Sequence, residues 1–150
     1  MLRPAIPRHL VTKPRIRPLS TRIYDPIRQP NDLHTLTLLC AANNRTLVTF
    51  WGASWCRNCS EVLPVVRGVL GGGGLGEGEV GFAEVCVDSV MIGGLPVVYR
   101  ISSLPTLLAF SRQEARFETV VTRMEEMRDE EFLRGWVENE VRRGGRKGAG

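Results

Sequence analysis

The sequence predicts an α/β domain, a central mixed β-sheet flanked by helices on both faces. Three observations carry that prediction. Short apolar runs rich in β-branched residues alternate with stretches of helical period. The run 47–51 leads through a Gly-Ala-Ser turn into a helical stretch that opens on two thiols, Cys56 and Cys59. Two further apolar runs, 106–110 and 115–122, are separated by the turn Ser111-Arg112-Gln113-Glu114. The alternation implies parallel strands joined by crossover helices, and the close final runs imply an antiparallel pair.

Taken in order, residues 22–24 form a short edge strand closed off by Pro26 and Pro30. Asn31 or Asp32 offers an N-cap for a helix in which Leu33, Leu36 and Cys40 recur at helical spacing, ending at 42–44. Cys40 lies on that apolar stripe and reads as a small buried hydrophobe. The buried strand 47–51 and a helix over 56–70 follow. The glycine-rich segment 71–78 is a connection, since glycine has the most backbone entropy to lose, and it lacks the GK[ST] ending of a phosphate loop. A strand over 80–87 closes at Asp88, and a short helix precedes Ser102. After the antiparallel pair, a helix over 128–143 presents Phe132, Leu133, Trp136, Val137 and Val141 on one face. Right-handed crossovers would place the first and third helices on one face of the sheet and the second and fourth on the other.

A length of 150 residues suits one domain, over 21–143, with a basic tail at each end, 1–20 and 144–150. The net charge of +4 belongs to those ends: residues 1–30 hold seven bases against Asp25, and the last nine residues hold four bases and no acid. The 111 residues between hold nine bases and fifteen acids. A basic character confined to tails, without interleaved aromatics, does not support nucleic-acid binding. No run is apolar enough to span a membrane, and residues 1–20 lack a secretory h-region, so the chain is not expected to be secreted. That first segment is Arg-rich, acid-free and rich in proline. It reads as a transit peptide of a mitochondrial matrix protein or as a disordered tail of a cytoplasmic one; both compartments keep thiols mostly reduced.

The four cysteines are too few and too unevenly spaced for a disulfide framework. A single CxxC without a second pair, with His9 and His34 far upstream, argues against structural zinc, and no metal or cofactor is expected. Three residues apart at a helix start, the two thiols suit disulfide exchange instead. Free N–H groups and the macrodipole favour a thiolate on Cys56, and Cys59, one turn on, can resolve a mixed disulfide.

Trp55, Cys56 and Cys59, followed by Pro64, resemble the active-site motif of the thioredoxin family and its helix-kinking proline. The segment 98–110, centred on Leu104-Pro105-Thr106, is similar to the family's short helix, cis-proline loop and following strand. The resemblance covers roughly residues 21–142. It implies a thioredoxin-like fold and a thiol–disulfide oxidoreductase using its own Cys56–Cys59 disulfide. It further implies Trp55, Leu104 and Pro105 at the substrate groove, protein disulfides as substrates, and an electron donor of thioredoxin-reductase type.

The chain departs from the family where chemistry is tuned. Arg57-Asn58 replaces the usual Gly-Pro between the cysteines. A charge at ~7 Å and an effective dielectric of ~40 is worth about 1 kcal/mol, so Arg57 either favours the Cys56 thiolate or is a solvated loop charge. The family's buried aspartate aligns with Phe50 by direct count, or with Thr49 if one residue of the turn is an insertion, and neither is an acid. Glu84, four residues before Asp88, either replaces that acid as proton acceptor for Cys59 or pairs with a nearby base. The intact CxxC favours an enzyme. The missing acid favours the alternative, a non-catalytic binding module on the same fold.

Overall fold

The computed structural model describes residues 20–71 and 79–145. The expected tails fall mostly outside that range, at 1–19 and 146–150, as does most of the glycine-rich connection, 72–78. Strands β1 (Ser20–Ile23), β2 (Thr46–Gly52), β3 (Glu79–Cys86), β4 (Thr106–Ser111) and β5 (Glu114–Ala115) form one sheet in the order β1-β3-β2-β4-β5. The first three are parallel; β4 runs antiparallel to β2, and β5 to β4. The helices are α1 (Pro30–Ala42), α2 (Arg57–Gly71), α3 (Leu95–Val98), α4 (Met124–Arg128) and α5 (Glu130–Gly145).

The chain steps from β1 past β3 to β2 and then back to β3. Reversing the direction of travel with right-handed crossovers forces α2 onto the face opposite α1. Two cores result. Val62, Val66, Val69 and Leu70 of α2 pack with Leu133, Trp136 and Val137 of α5 against Val48, Phe50, Val80 and Phe82. On the other face Leu33 and Cys40 of α1 and Leu95 of α3 pack against Leu47, Trp51, Ala83 and Val85. Covered on both sides, β2 and β4 read as continuous apolar runs, as internal strands do. Cys40 is a buried core thiol.

Four local expectations are corrected. Helix α1 begins at Pro30, not after Asn31 or Asp32: the ring pre-sets the first helical φ, and the Asp32 carboxylate reaches back to accept from the Arg28 amide and the Gln29 side chain, both at 3.2 Å. The run 115–122 is not one strand. Its two ends pair with β4, at β5 and through Val121, whose amide and carbonyl bond Leu107 at 3.0 and 2.9 Å. Between them Phe117–Thr119 coils into a 3₁₀ turn. Phe117 turns toward Tyr99 and lies under the Arg100 guanidinium at 4.6 Å, while Trp136 Nε1 donates to the Thr119 carbonyl at 2.7 Å. The C-terminal helix is broken at Asp129, which adopts extended backbone and caps α5 by accepting from the amides of Glu131 and Phe132. Helix α5 also runs on to Gly145; Gly144 packs so closely on Thr46 and Ser111 that a Cβ would meet their hydroxyls at 2.6 and 2.8 Å.

On α5, Glu140 is a buried carboxyl, 1% exposed, with the Arg116 guanidinium 3.8 Å away. Burial pushes its pKa above the usual 4.5, and Thr119 and Arg116 oppose that only in part. A raised folded-state pKa means the native state holds this proton longer than the unfolded chain, so stability is lost as pH climbs from 4.5 through the folded value. Relative to Glu140→Gln, the wild type should therefore lose melting temperature as pH rises from about 4, and the gap should level off above the folded value. Thermal melts from pH 4 to 8 check this; a pH-independent gap would refute it.

Candidate active site

Strand β2 ends at Gly52, and the turn 53–55 carries the chain to Cys56 immediately before α2. The Cys56 amide donates to the Ala53 carbonyl at 3.1 Å. Across the strand end, the Asp88 carboxylate accepts from the Ser54 amide at 3.1 Å and from the Ser54 hydroxyl. Those bonds hold the Asp88 carboxyl below the usual carboxylate range. Asp88, expected only to close a strand, thus anchors the loop that presents Cys56.

A disulfide joins Cys56 and Cys59, with Cα atoms 5.2 Å apart. The Cys59 amide donates to Cys56 Sγ at 3.2 Å. After reduction the same N–H and the open first turn of α2 favour negative charge on Cys56. Cys59 lies in the first turn of α2, its sulfur over Gly52 beside the Phe50 ring. It is Phe50 and Gly52 that shield Cys59. Trp55 stands 73% exposed.

A groove of about 560 Å³ runs past Cys56. Trp55, Arg57 and Asn58 line one part of it, and Pro96, Ile101 and Leu104 another. The Leu104–Pro105 peptide bond is cis. Pro105 itself is buried, so Leu104 supplies the apolar wall. Arg57 is almost fully exposed and pairs with Glu61 at 3.7 Å, which also meets Arg128 at 3.3 Å. Its charge is solvated and shared, which leaves little to act on Cys56.

The pleat decides between the two candidate positions for the missing acid. Thr49 faces the α1 side, where its hydroxyl donates to the Leu108 carbonyl at 2.7 Å and accepts from Trp51 Nε1 at 2.8 Å. Phe50 faces α2, beneath Cys59. Glu84 is the register partner of Phe50 on β3 and borders, with Cys56 and Cys59, a second cavity of about 620 Å³. It also pairs with Arg67 of α2, so it is both near the couple and neutralised by a base. The sequence reading missed Arg67 as its partner, although a base on the third turn of a helix over that strand was the available signal.

No family model matches this chain. Thioredoxin of Mycoplasma pneumoniae is 28% identical over 94 residues, 63% of this chain and 85% of that protein. Among solved structures, a point mutant of thioredoxin from Halobacterium salinarum superposes with a TM-score of 0.60 at 20% identity, covering 81% of this chain and 91% of that one. Reduced Schistosoma mansoni thioredoxin pre-protein gives 0.58 at 20% identity, covering 82% and 98%. The chain has the thioredoxin fold.

Its chemistry is thiol–disulfide oxidoreduction through its own Cys56–Cys59 disulfide. Among the described residues there is no cluster of three or more metal-ligating side chains. In this thioredoxin-like site Cys56 borders the groove and Cys59 does not. Brief alkylation of the reduced protein at neutral pH, followed by peptide mass spectrometry, should therefore modify Cys56 first. Earlier labelling of Cys59, Cys86 or Cys40 would contradict the assignment.

Proposed function

We propose that this protein reduces disulfides in extended polypeptide segments, with Cys56 as nucleophile and Cys59 as resolving thiol. The observation that carries this is the Cys59 amide bonded to Cys56 Sγ at the edge of an apolar groove. A substrate strand lies in the groove against Trp55 and Leu104 with its disulfide at Cys56. The Cys56 thiolate attacks one substrate sulfur and expels the other as a thiolate. Cys59 then gives up its proton, attacks Cys56 Sγ and releases the second substrate thiol, leaving the Cys56–Cys59 disulfide. A dithiol donor of thioredoxin-reductase type returns two electrons. The working compartment is the mitochondrial matrix or the cytoplasm, a reading supported by the Arg-rich, acid-free residues 1–20.

Glu84 takes the proton from Cys59, directly or through one water, across the cavity that both border. Phe50 cannot accept it, and this is the observation favouring a non-catalytic binding module.

Reduction of a protein disulfide with dithiothreitol as donor separates the readings: turnover lost in Cys59→Ser supports the oxidoreductase, and no turnover in either protein supports the module. A Cys56–Cys59 potential near about −270 mV marks a reductant and one near about −120 mV an oxidant. In stopped flow, Glu84→Gln should leave the first attack by Cys56 nearly intact and slow resolution, so that the mixed disulfide accumulates. An unchanged resolution rate from pH 6 to 9 would remove Glu84 from the mechanism.

A further inference from the structure

Cys86 ends β3 as the register partner of Gly52, which ends β2. Side chains on β3 alternate: Val80 and Phe82 enter the α2–α5 core, and Ala83 and Val85 the opposite one. Cys86 therefore points to the α2 side, as Glu84 does in reaching Arg67. Cys59 stands over the neighbouring glycine, where a Cβ would lie 3.2 Å from Cys59 Sγ and 3.4 Å from Cys59 Cβ. Gly52 has no side chain to fill that space, and adjacent strands are ~4.8 Å apart. Half-buried Cys86 and both cysteines of the couple border the same cavity of about 620 Å³.

We propose that Cys86 is a third redox thiol that exchanges with the couple through Cys59. The Cys86 thiolate attacks Cys59 Sγ, the Cys56–Cys59 bond breaks, and a Cys59–Cys86 disulfide forms. Cys56 leaves with the bonding electron pair as a thiolate, and the proton given up by Cys86 goes to solvent. No external oxidant or reductant is needed. Attack falls on Cys59 because the better leaving group is Cys56, whose sulfur already accepts the Cys59 amide. A disulfide needs Cα atoms ~4.4–6.8 Å apart, so the exchange requires the first turn of α2 to settle toward β3.

The product is an oxidised protein with a free nucleophile at the groove. Such a species can attack a substrate disulfide and rearrange it without net reduction, so the chain would carry isomerase as well as reductase chemistry. Burial pushes the Cys86 thiol up; Arg28, on the connection before α1, opposes this, while Glu84 and Asp88 add to it. Arg67 of α2 is engaged by Glu84. Exchange therefore quickens with rising pH.

The inference rests on the redox reading of Cys56–Cys59, and the test separates the two. The full-length Cys56→Ser variant is oxidised with diamide, quenched in acid, alkylated and mapped without reduction. The expected product is a monomer with linked Cys59 and Cys86 peptides. In oxidised wild type the same linkage should appear as a minor species that grows from pH 7 to 8.5 and vanishes in Cys86→Ser. A Cys56→Ser monomer that keeps both thiols free, or links only between molecules, overturns the proposal. Wild-type turnover of a protein disulfide is read in parallel. Turnover without the bridge overturns this inference alone, and a bridge without turnover supports it while removing the reductase function.

Discussion

The parallel pairing of β2 with β3, from Thr46–Val80 to Gly52–Cys86, is the constraint on which the site depends. It brings the loop after β2 beside Asp88, which anchors Ser54 and so aims Cys56. It also sets Phe50 next to Glu84 and Gly52 next to Cys86 on the face where α2 begins. A slip of one residue would turn Phe50 toward α1 and Thr49 toward Cys59. The register is held because both faces are packed, with Val48 and Phe50 in one core and Leu47 and Trp51 in the other. The site is thus positioned by apolar burial that reaches up to the couple itself, with Phe50 beneath Cys59.

Most of this was legible because the signals are local. The β-branched run before the cysteines, the helical period of Phe132, Leu133 and Trp136, and the Ser111–Glu114 turn each declare themselves within a few residues. In that turn Arg112 and Gln113 both adopt positive φ, as a tight hairpin demands. What sequence reasoning missed depends on distant partners. The 3₁₀ turn at Phe117 is drawn out by Tyr99 and Arg100, which arrive from the α3 segment. The choice between Thr49 and Phe50 needs the parity of the pleat, and the role of Asp88 needs a contact 34 residues away. The cap at Asp129 is different: an Asp before two glutamates and a phenylalanine is a local signal that the longer apolar period obscured.

The floor under Cys59 is an aromatic ring where the related family carries an acid. An ionisable group there would have been costly to bury and useful only as a proton acceptor. With Phe50 in that place the apolar core runs unbroken from α2 to the disulfide, and the polar groups near Cys59 lie to one side, in the cavity bordered by Glu84, Cys86 and Asp88. The proton transfer and the thiol exchange proposed above would share that lateral opening, while the groove on the other side of Cys56 is lined by Trp55, Pro96, Ile101 and Leu104 together with the polar Arg57 and Asn58.

Arg57 and Asn58 are exposed, and the Arg57 guanidinium pairs with the solvent-facing Glu61. The pair contributes almost nothing to the packing that holds the domain together. The dipeptide between the cysteines is therefore a position at which selection, or an engineer, can change the rim of the groove without drawing on the stability of the sheet beneath it.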